Sequence, residues 1–293
     1  MALLLSVLEQ GMIYGILALG VYITYKILDF PDLTVDGSFP FGAAITVRLI
    51  NGFGVPAILT LPIAFLGGAL VGICTGLIHV KLKVRDLLSG IIMMTGLYTI
   101  NLWVAGSGYV AIFDKDNIFN NSFVNSITPD FLVNFKNVII IFLITMVAKY
   151  LLDWYMSTKS GFLLRAVGDN DTIVTSLGVD KGLVKIVGLS IANGLVSLSG
   201  CIYAQQQRSF EISIGTGAVV IGLASVIIGT SLFKKVTFFC VTSSVVVGSI
   251  LYKACVAVAM FAGISPNAIK LITAVLFLII LVICRDRKKV KAC

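Results

Sequence analysis

Apolar residues along this chain come in long, nearly unbroken blocks separated by short polar or basic intervals. A helix needs roughly 20 apolar residues to cross about 30 Å of hydrocarbon. Blocks of about that length occur at residues 3–25, 56–80, 87–105, 138–155, 186–204, 215–233, 236–260 and 267–284. One further block, residues 41–53, is short and carries Arg48. It follows the polar stretch DFPDLTVDGSFPFG, in which Pro31 and Pro40 are expected to bar regular helix. That combination predicts a broken or half-length helix, tolerated at membrane depth only where protein or a cavity surrounds it. The pattern as a whole predicts an all-α polytopic membrane protein with about 8–9 transmembrane helices.

The basic residues supply the topology, because short cytoplasmic connections are enriched in Lys and Arg. Arg285, Arg287, Lys288, Lys289 and Lys291 predict a cytoplasmic C-terminus. Counting backwards, Lys234 and Lys235 fall on that side. So do Lys159, Arg165, Lys181 and Lys185 of the 157–185 interval, and Lys81, Lys83 and Arg85. The 106–136 interval falls outside, with Asp114, Asp116 and Asp130 against Lys115 and Lys136. If the short block spans, the chain crosses nine times and its N-terminus is outside; a re-entrant block would place the N-terminus inside. The nine-crossing arrangement is preferred. The opening residues lack a basic n-region and a small-residue cleavage site, so they read as a retained first helix.

Composition narrows the class. Of 293 residues, 58% are hydrophobic and only 12% charged, and mean hydropathy is +1.03. A soluble domain of that length could not solvate its surface with so little charge, so residues 1–293 read as one transmembrane domain. The net charge of +8 lies between apolar blocks, without interleaved aromatics, and that distribution points to the lipid bilayer as partner and excludes nucleic acid. Five of the six cysteines sit in or beside apolar segments with no close pair, as packing residues do. His79 stands alone and cannot form a His-based metal site. Gly68, Gly72 and Gly76 repeat every fourth residue, as do Gly11 and Gly15, which predicts close helix–helix contact on those faces.

Three functional classes compete. A membrane enzyme would need clustered His, Asp or Glu at depth, and none occurs. A secondary transporter driven by an ion gradient would need acids deep in its spans, but Glu9 and Asp153 lie near span ends. The third class follows from the interval Ser160 to Leu183, SGFLLRAVGDNDTIVTSLGVDKGL, which is too apolar and patterned for a passive linker. Asp169, Asn170 and Asp171 offer N-cap side chains. Ile173, Val174 and Leu177 then fall on one face, and Gly178 can end the turn. A short amphipathic helix of this kind either lies on lipid or docks into a groove of another protein.

The run Gly161…Arg165-Ala166-Val167-Gly168-Asp169-Asn170…Leu177-Gly178-Val179 resembles the cytoplasmic coupling segment of permeases for branched-chain amino acids and simple sugars. Further similarity lies in Leu198-Ser199-Gly200, in ASVIIG at Ala224 to Gly229, and in the Asp32 to Ser38 run. Phe162 departs from the pattern, standing where the family has Arg beside the glycine. DLTVDGSFPFGAA and SGIIMMTGLYTINLWVAGSG are similar to the tryptophan and tyrosine permeases of that family, except that Trp103 stands at an expected Arg.

The resemblance implies a type II ABC importer-like fold and the permease subunit of an ATP-driven, binding-protein-dependent importer in the bacterial cytoplasmic membrane. Its solute would be an amino acid, aromatic in the narrower subgroup; a sugar, nucleoside or other small metabolite is the alternative within the class. The chain would be no enzyme and carry no cofactor: it lacks a G-x-x-x-x-G-K-[ST] loop, and ATP-Mg would be bound by a partner ATPase. That ATPase would couple through Arg165, Gly168, Asn170, Asp171, Ile173, Val174, Leu177 and Gly178. An extracellular or periplasmic substrate-binding protein and a second permease copy, forming a homodimer, complete the implied assembly.

Candidate pathway residues are the polar groups at membrane depth: Asn101, Asn193, and Asp32, Asp36 and Ser38 beside the broken segment. Interhelical hydrogen bonding is the commoner fate of such Asn and Ser side chains, and Asp36 could simply cap the helix after it. Lys253 is expected to snorkel outward, and His79 to sit at the interface.

Overall fold

The computed structural model describes residues 2–113, 115–121, 135–176, 178–233 and 240–261, with isolated positions 271, 274, 275 and 278. Lys234, Lys235, Leu177, the basic tail and nearly all of the expected 267–284 span lie outside the described residues. In chain order the helices are α1 (Ala2–Val21), α2 (Val35–Phe53), α3 (Thr60–Val80), α4 (Asp86–Ala105) and α5 (Lys136–Met156). They continue with α6 (Lys159–Asp169), α7 (Asp171–Ser176), α8 (Lys181–Gln207), α9 (Ala218–Leu232) and α10 (Val241–Phe261). Two short strands, β1 (Tyr109–Ala111) and β2 (Ser209–Glu211), pair antiparallel with Val110 opposite Phe210. Among the described residues, 7 helices are long and apolar enough to cross a membrane. The chain is an all-α polytopic membrane protein.

The break near the N-terminus lies earlier than the sequence pattern places it. α1 widens into a π-helical turn, Tyr22–Ile27, and regular helix resumes only at Val35. The block at 41–53 is the second half of a 19-residue helix, α2, about 28 Å long at 1.5 Å per residue. Pro40 sits inside it. Lacking an N–H, Pro40 cannot bond the Asp36 carbonyl one turn back. Gly215 lies against that carbonyl and the proline ring, so closely that a Cβ there would meet both. Polar residues along α2 would be costly in lipid, and its Ser38 and Thr46 are buried among neighbouring helices.

α1 and α8 form the centre of the molecule, carrying many of the fully buried side chains, among them Ile13, Ile16, Leu17, Leu189 and Val196. The glycine faces do what their spacing predicts. A Cβ on Gly68 or Gly72 would overlap α8 backbone at Asn193 and Leu189, and one on Gly76 would lie 3.0 Å from Ile186 Cα. Gly11 gives α10 the same access, since its Cβ would lie 2.8 Å from Ile250 Cα. Ser249 Oγ donates to the Gly11 carbonyl at 2.6 Å across that contact. Gly72→Val is therefore expected to force α3 off α8 and lower stability by about 1–3 kcal/mol or more. Gly96, whose Cβ would meet nothing within 4 Å, is the control position: Gly96→Val should leave the unfolding temperature in detergent nearly unchanged.

The ends of the helices sort into two sides. Gln206 Nε2 donates to Glu9 at 3.0 Å, and Asn51 Nδ2 to the Ala111 carbonyl at 3.1 Å. The start of α1, the end of α2, the ribbon and the end of α8 therefore share one side. On the other, the connection after Tyr22 meets α6, and His79 Nδ1 lies 2.9 Å from the Val84 carbonyl with its ring edge-on to Phe30. α2 starts inside the bundle, where Ser38 meets Asn193 of α8 and Gly37 lies against Leu97 of α4, and it ends on the first side. Near the second side, Lys149 pairs with Asp153 at 3.2 Å. Asp153 also accepts from Thr242 at 2.7 Å, tying α5 to α10.

Candidate functional site

Three of the five polar candidates converge. The chain at Asp32 is outside regular helix, so its carboxylate can turn back to accept from the Thr34 N–H at 2.9 Å, as turn aspartates do. Its other oxygen accepts from Asn193 Nδ2 of α8 at 2.8 Å. Asn193 Oδ1 accepts in turn from Ser38 Oγ of α2 at 2.6 Å. The Thr34 hydroxyl meets that of Thr75 on α3 at 3.2 Å. Asp32 is 5% exposed, and Ser38 and Asn193 are fully buried. No Lys, Arg or His lies in ion-pair range of Asp32 among the described residues. The network thus satisfies a buried carboxylate with neutral donors alone and joins the break, α2, α3 and α8 at one point.

The other two candidates sit elsewhere. Asp36 accepts from the backbone N–H groups of Gly217 at 3.1 Å and Val219 at 2.8 Å. It caps a helix, as its type suggests, but the helix is α9 rather than its own, and an anion there also meets the positive end of the helix dipole. Asn101 Nδ2 donates to the Gly37 carbonyl at 3.1 Å, fastening α4 to α2, while its buried Oδ1 has no partner among the described residues. Lys253 does not snorkel. Its ammonium lies 3.7 Å from the centre of the Tyr14 ring, and Tyr14 in turn stacks on Phe39; the π face holds the cation inside the bundle.

The segment 157–185 is more helical than expected. Residues 159–169 form a helix of their own, α6, capped by the Thr158 hydroxyl accepting from Gly161 N–H. Asp169 is consequently the last residue of α6 and not an N-cap. Asn170, at φ −160° and ψ 104°, breaks the path before α7 begins. Gly161, Leu164 and Val167 turn inward while Arg165 and Asp169 face out with Phe162, which is 59% exposed. Gly168 lies so close to the Ile27 carbonyl that a Cβ would overlap it. A Cβ on Gly188 of α8 would be 2.5 Å from Leu164 and 2.8 Å from Leu28. α6 thus rests directly on the connection that leads to Asp32. In α7, Val174 is fully buried, and Gly178 ends the turn at φ +75°, its N–H bonding the Thr175 carbonyl at 3.1 Å. The side chains of Asp171 and Ile173 lie outside the described set.

Gln205 is a polar centre that no spacing in the sequence points to. Its Nε2 donates to Thr60 Oγ1 at 2.9 Å and its Oε1 accepts from the Ile118 N–H at 3.0 Å. Those partners come from segments 145 and 87 residues away, and only the fold brings them together.

The chain is 41% identical to the tyrosine transport system permease protein of Clostridioides difficile (strain R20291), over 94% of this chain and 89% of that protein. It is 29% identical to an uncharacterised protein of Rickettsia prowazekii (strain Madrid E), over 95% and 96% of the two chains. With the ribose import permease protein of Escherichia coli (strain K12) it shares 26% identity over 77% of this chain and 68% of that one. No solved structure matches. The sequence model described as branched-chain amino acid transport system / permease component matches residues 3–282. On that match the chain belongs to the branched-chain amino acid transport system permease family, and it is a multi-pass membrane permease of the ABC transport type.

Proposed function

We propose that the chain is the membrane subunit of an ATP-driven importer for an aromatic amino acid, tyrosine first among the candidates. The observation that carries the substrate is the 41% identity to a tyrosine transport system permease across nearly the whole chain. The amino acid reading is preferred over a sugar because the ribose permease is far more distant.

In this reading a separate ATPase supplies ATP hydrolysis and docks on α6 and α7, and a binding protein delivers solute to the side that carries the ribbon and the start of α1. The N-terminus then lies outside the bacterial cytoplasmic membrane, the C-terminus inside, and two copies of the chain form the translocating unit. The geometry supports a mechanical role for the segment. Displacement of α6 bears on Ile27 through Gly168, and five residues later the same connection holds Asp32 in its network with Asn193 and Ser38. Proteoliposomes holding the complete importer are expected to accumulate L-tyrosine, with vanadate abolishing uptake. Uptake that ignores vanadate and follows an imposed ion gradient would reject the ATP-driven mechanism. Ribose uptake without amino acid uptake would reject the substrate.

A further inference from the structure

α9 begins in the middle of the bundle rather than at its edge. The chain leaves β2 on the ribbon side, where the Ile212 N–H donates to the Gly108 carbonyl at 3.0 Å, beyond the last residue of α4. Three residues later, Gly215 lies against the Asp36 carbonyl and the Pro40 ring. Asp36 is in the first turn of α2, and its neighbour Gly37 lies against Met94 and Leu97, midway along α4. The segment 212–217 thus descends part of the way through the bundle and stops. α9 carries on from there as a helix of 15 residues, about 22 Å long at 1.5 Å per residue.

Non-helical backbone at membrane depth is tolerated where protein buries it or where it lines a water-filled cavity. One side of this segment meets the first condition, since Gly215 is buried. The other side does not: Ser213 and Thr216 are exposed, and Asp36 is only half-buried. Tyr98, 54% exposed, stands beside them. It lies on the α4 ridge Met94–Tyr98–Leu102; Met94 lies against Gly37, and Leu102 approaches the same Gly108 as Ile212.

Asp36 is the charge at the foot of this polar strip. Its oxygens accept from the Gly217 and Val219 N–H groups, which take up only part of the roughly four acceptor positions of a carboxylate. No Lys, Arg or His stands in ion-pair range of it among the described residues. Asp32, at 5% exposed, is closed off inside its own network, whereas Asp36 keeps part of its surface open. Acidic side chains at membrane depth mark the paths of solutes or ions.

We propose that Asp36 receives the α-ammonium of the amino acid solute midway across the membrane, in a path lined by Ser213, Thr216 and Tyr98. This rests on the amino acid importer reading and adds to it a solute-binding residue on the permease itself. An ammonium on a carboxylate makes the stronger, charge-assisted class of hydrogen bond, which favours amines over neutral sugars.

The test uses the reconstituted importer with its ATPase and binding protein and radiolabelled L-tyrosine. Maximal uptake and the concentration of liganded binding protein giving half-maximal uptake are measured separately. Asp36→Asn removes the charge and keeps a side chain that caps helices as well as Asp does, so its unfolding temperature should stay close to that of the wild type. Its maximal uptake should fall roughly tenfold or more, as expected for losing a charged hydrogen bond, with the half-maximal concentration unchanged. Thr216→Cys should react with a hydrophilic methanethiosulfonate above the wild-type background, because the thiol ionises only where water reaches it. Unchanged maximal uptake in Asp36→Asn overturns the proposal and leaves Asp36 as a cap alone. So does a drop in unfolding temperature that accounts for the lost uptake, and so does a Thr216→Cys thiol that stays unlabelled. Wild-type uptake that needs sodium, with the need abolished in Asp36→Asn, would make Asp36 an inorganic-cation site and overturns the ammonium assignment. A wild-type complex that carries no L-amino acid overturns both this site and the amino acid reading. A wild type that carries tyrosine beside a fully active Asp36→Asn overturns the site alone.

Discussion

Asn193→Leu is expected to destabilise the folded permease by about 2–4 kcal/mol. An ordinary interhelical hydrogen bond in a membrane contributes only about 0.6 kcal/mol, because the membrane-inserted unfolded chain finds partners as well. Asn193 is different because of what its loss leaves behind. The Asp32 carboxylate keeps one backbone donor and loses its side-chain donor, and the fully buried Ser38 hydroxyl loses its acceptor. Thr75→Val supplies the comparison: it removes the hydroxyl contact to Thr34 and should cost near the ordinary value of about 0.6 kcal/mol. Thermal or denaturant unfolding in the same detergent would check both. Equal costs for the two variants would mean that the Asp32 network contributes no more than generic interhelical bonds.

Ile173→Asp is expected to give the largest functional effect, a more than tenfold loss of vanadate-sensitive uptake with little change in unfolding temperature. The expectation combines sequence spacing with the fold. α7 is six residues long, and Val174 is committed to the interior. Val174 therefore drops out of the coupling face that the spacing drew through Ile173, Val174 and Leu177, and Ile173, about 100° further back around the helix, is the α7 apolar residue that the resemblance still assigns to the ATPase. A charge introduced into an apolar contact must be desolvated without a partner, which costs well over the roughly 1.4 kcal/mol that corresponds to a factor of ten. ATP hydrolysis by the assembled complex should lose its dependence on liganded binding protein. Uptake at the wild-type rate would remove α7 from the docking surface.

The spans are legible in the sequence because an apolar run of crossing length is hard to bury anywhere but in a bilayer. The contact faces of α3 and α1 are legible because glycine at four-residue spacing has a specific packing meaning. What escapes the sequence depends on tertiary surroundings. Pro40 argues locally against helix, yet α2 runs through it because neighbours enclose the freed carbonyl of Asp36. Lys253 has the stem of a snorkelling residue, and only the position of Tyr14, 239 positions earlier in the numbering, turns it inward. Asp36 reads as a helix cap, but nothing near it in sequence names α9 as the helix. α6 is hidden because Gly161, Leu164 and Val167, its inward face, fall in a run whose family motif masks its helical period. Of the candidate pathway residues, Asp32, Ser38 and Asn193 meet, although their type alone could not show that they meet each other.

The length of α8 has a mechanical consequence. Its 27 residues make a rod of about 40 Å at 1.5 Å per residue. Near one end, Gly188 rests on Leu164 of α6 and Leu28 of the N-terminal connection; at the other, Gln205 holds Thr60 and the Ile118 N–H, and Gln206 holds Glu9. α3 follows the rod between them, with Gly76 against Ile186, Gly68 against Asn193 and Thr60 bonded to Gln205. Two helices joined along that length tilt as one body, without any change in local conformation. Each degree of rotation separates the lateral positions of the two tips by roughly 0.7 Å over about 40 Å, so a small tilt at the α6 end is delivered in full to the ribbon side.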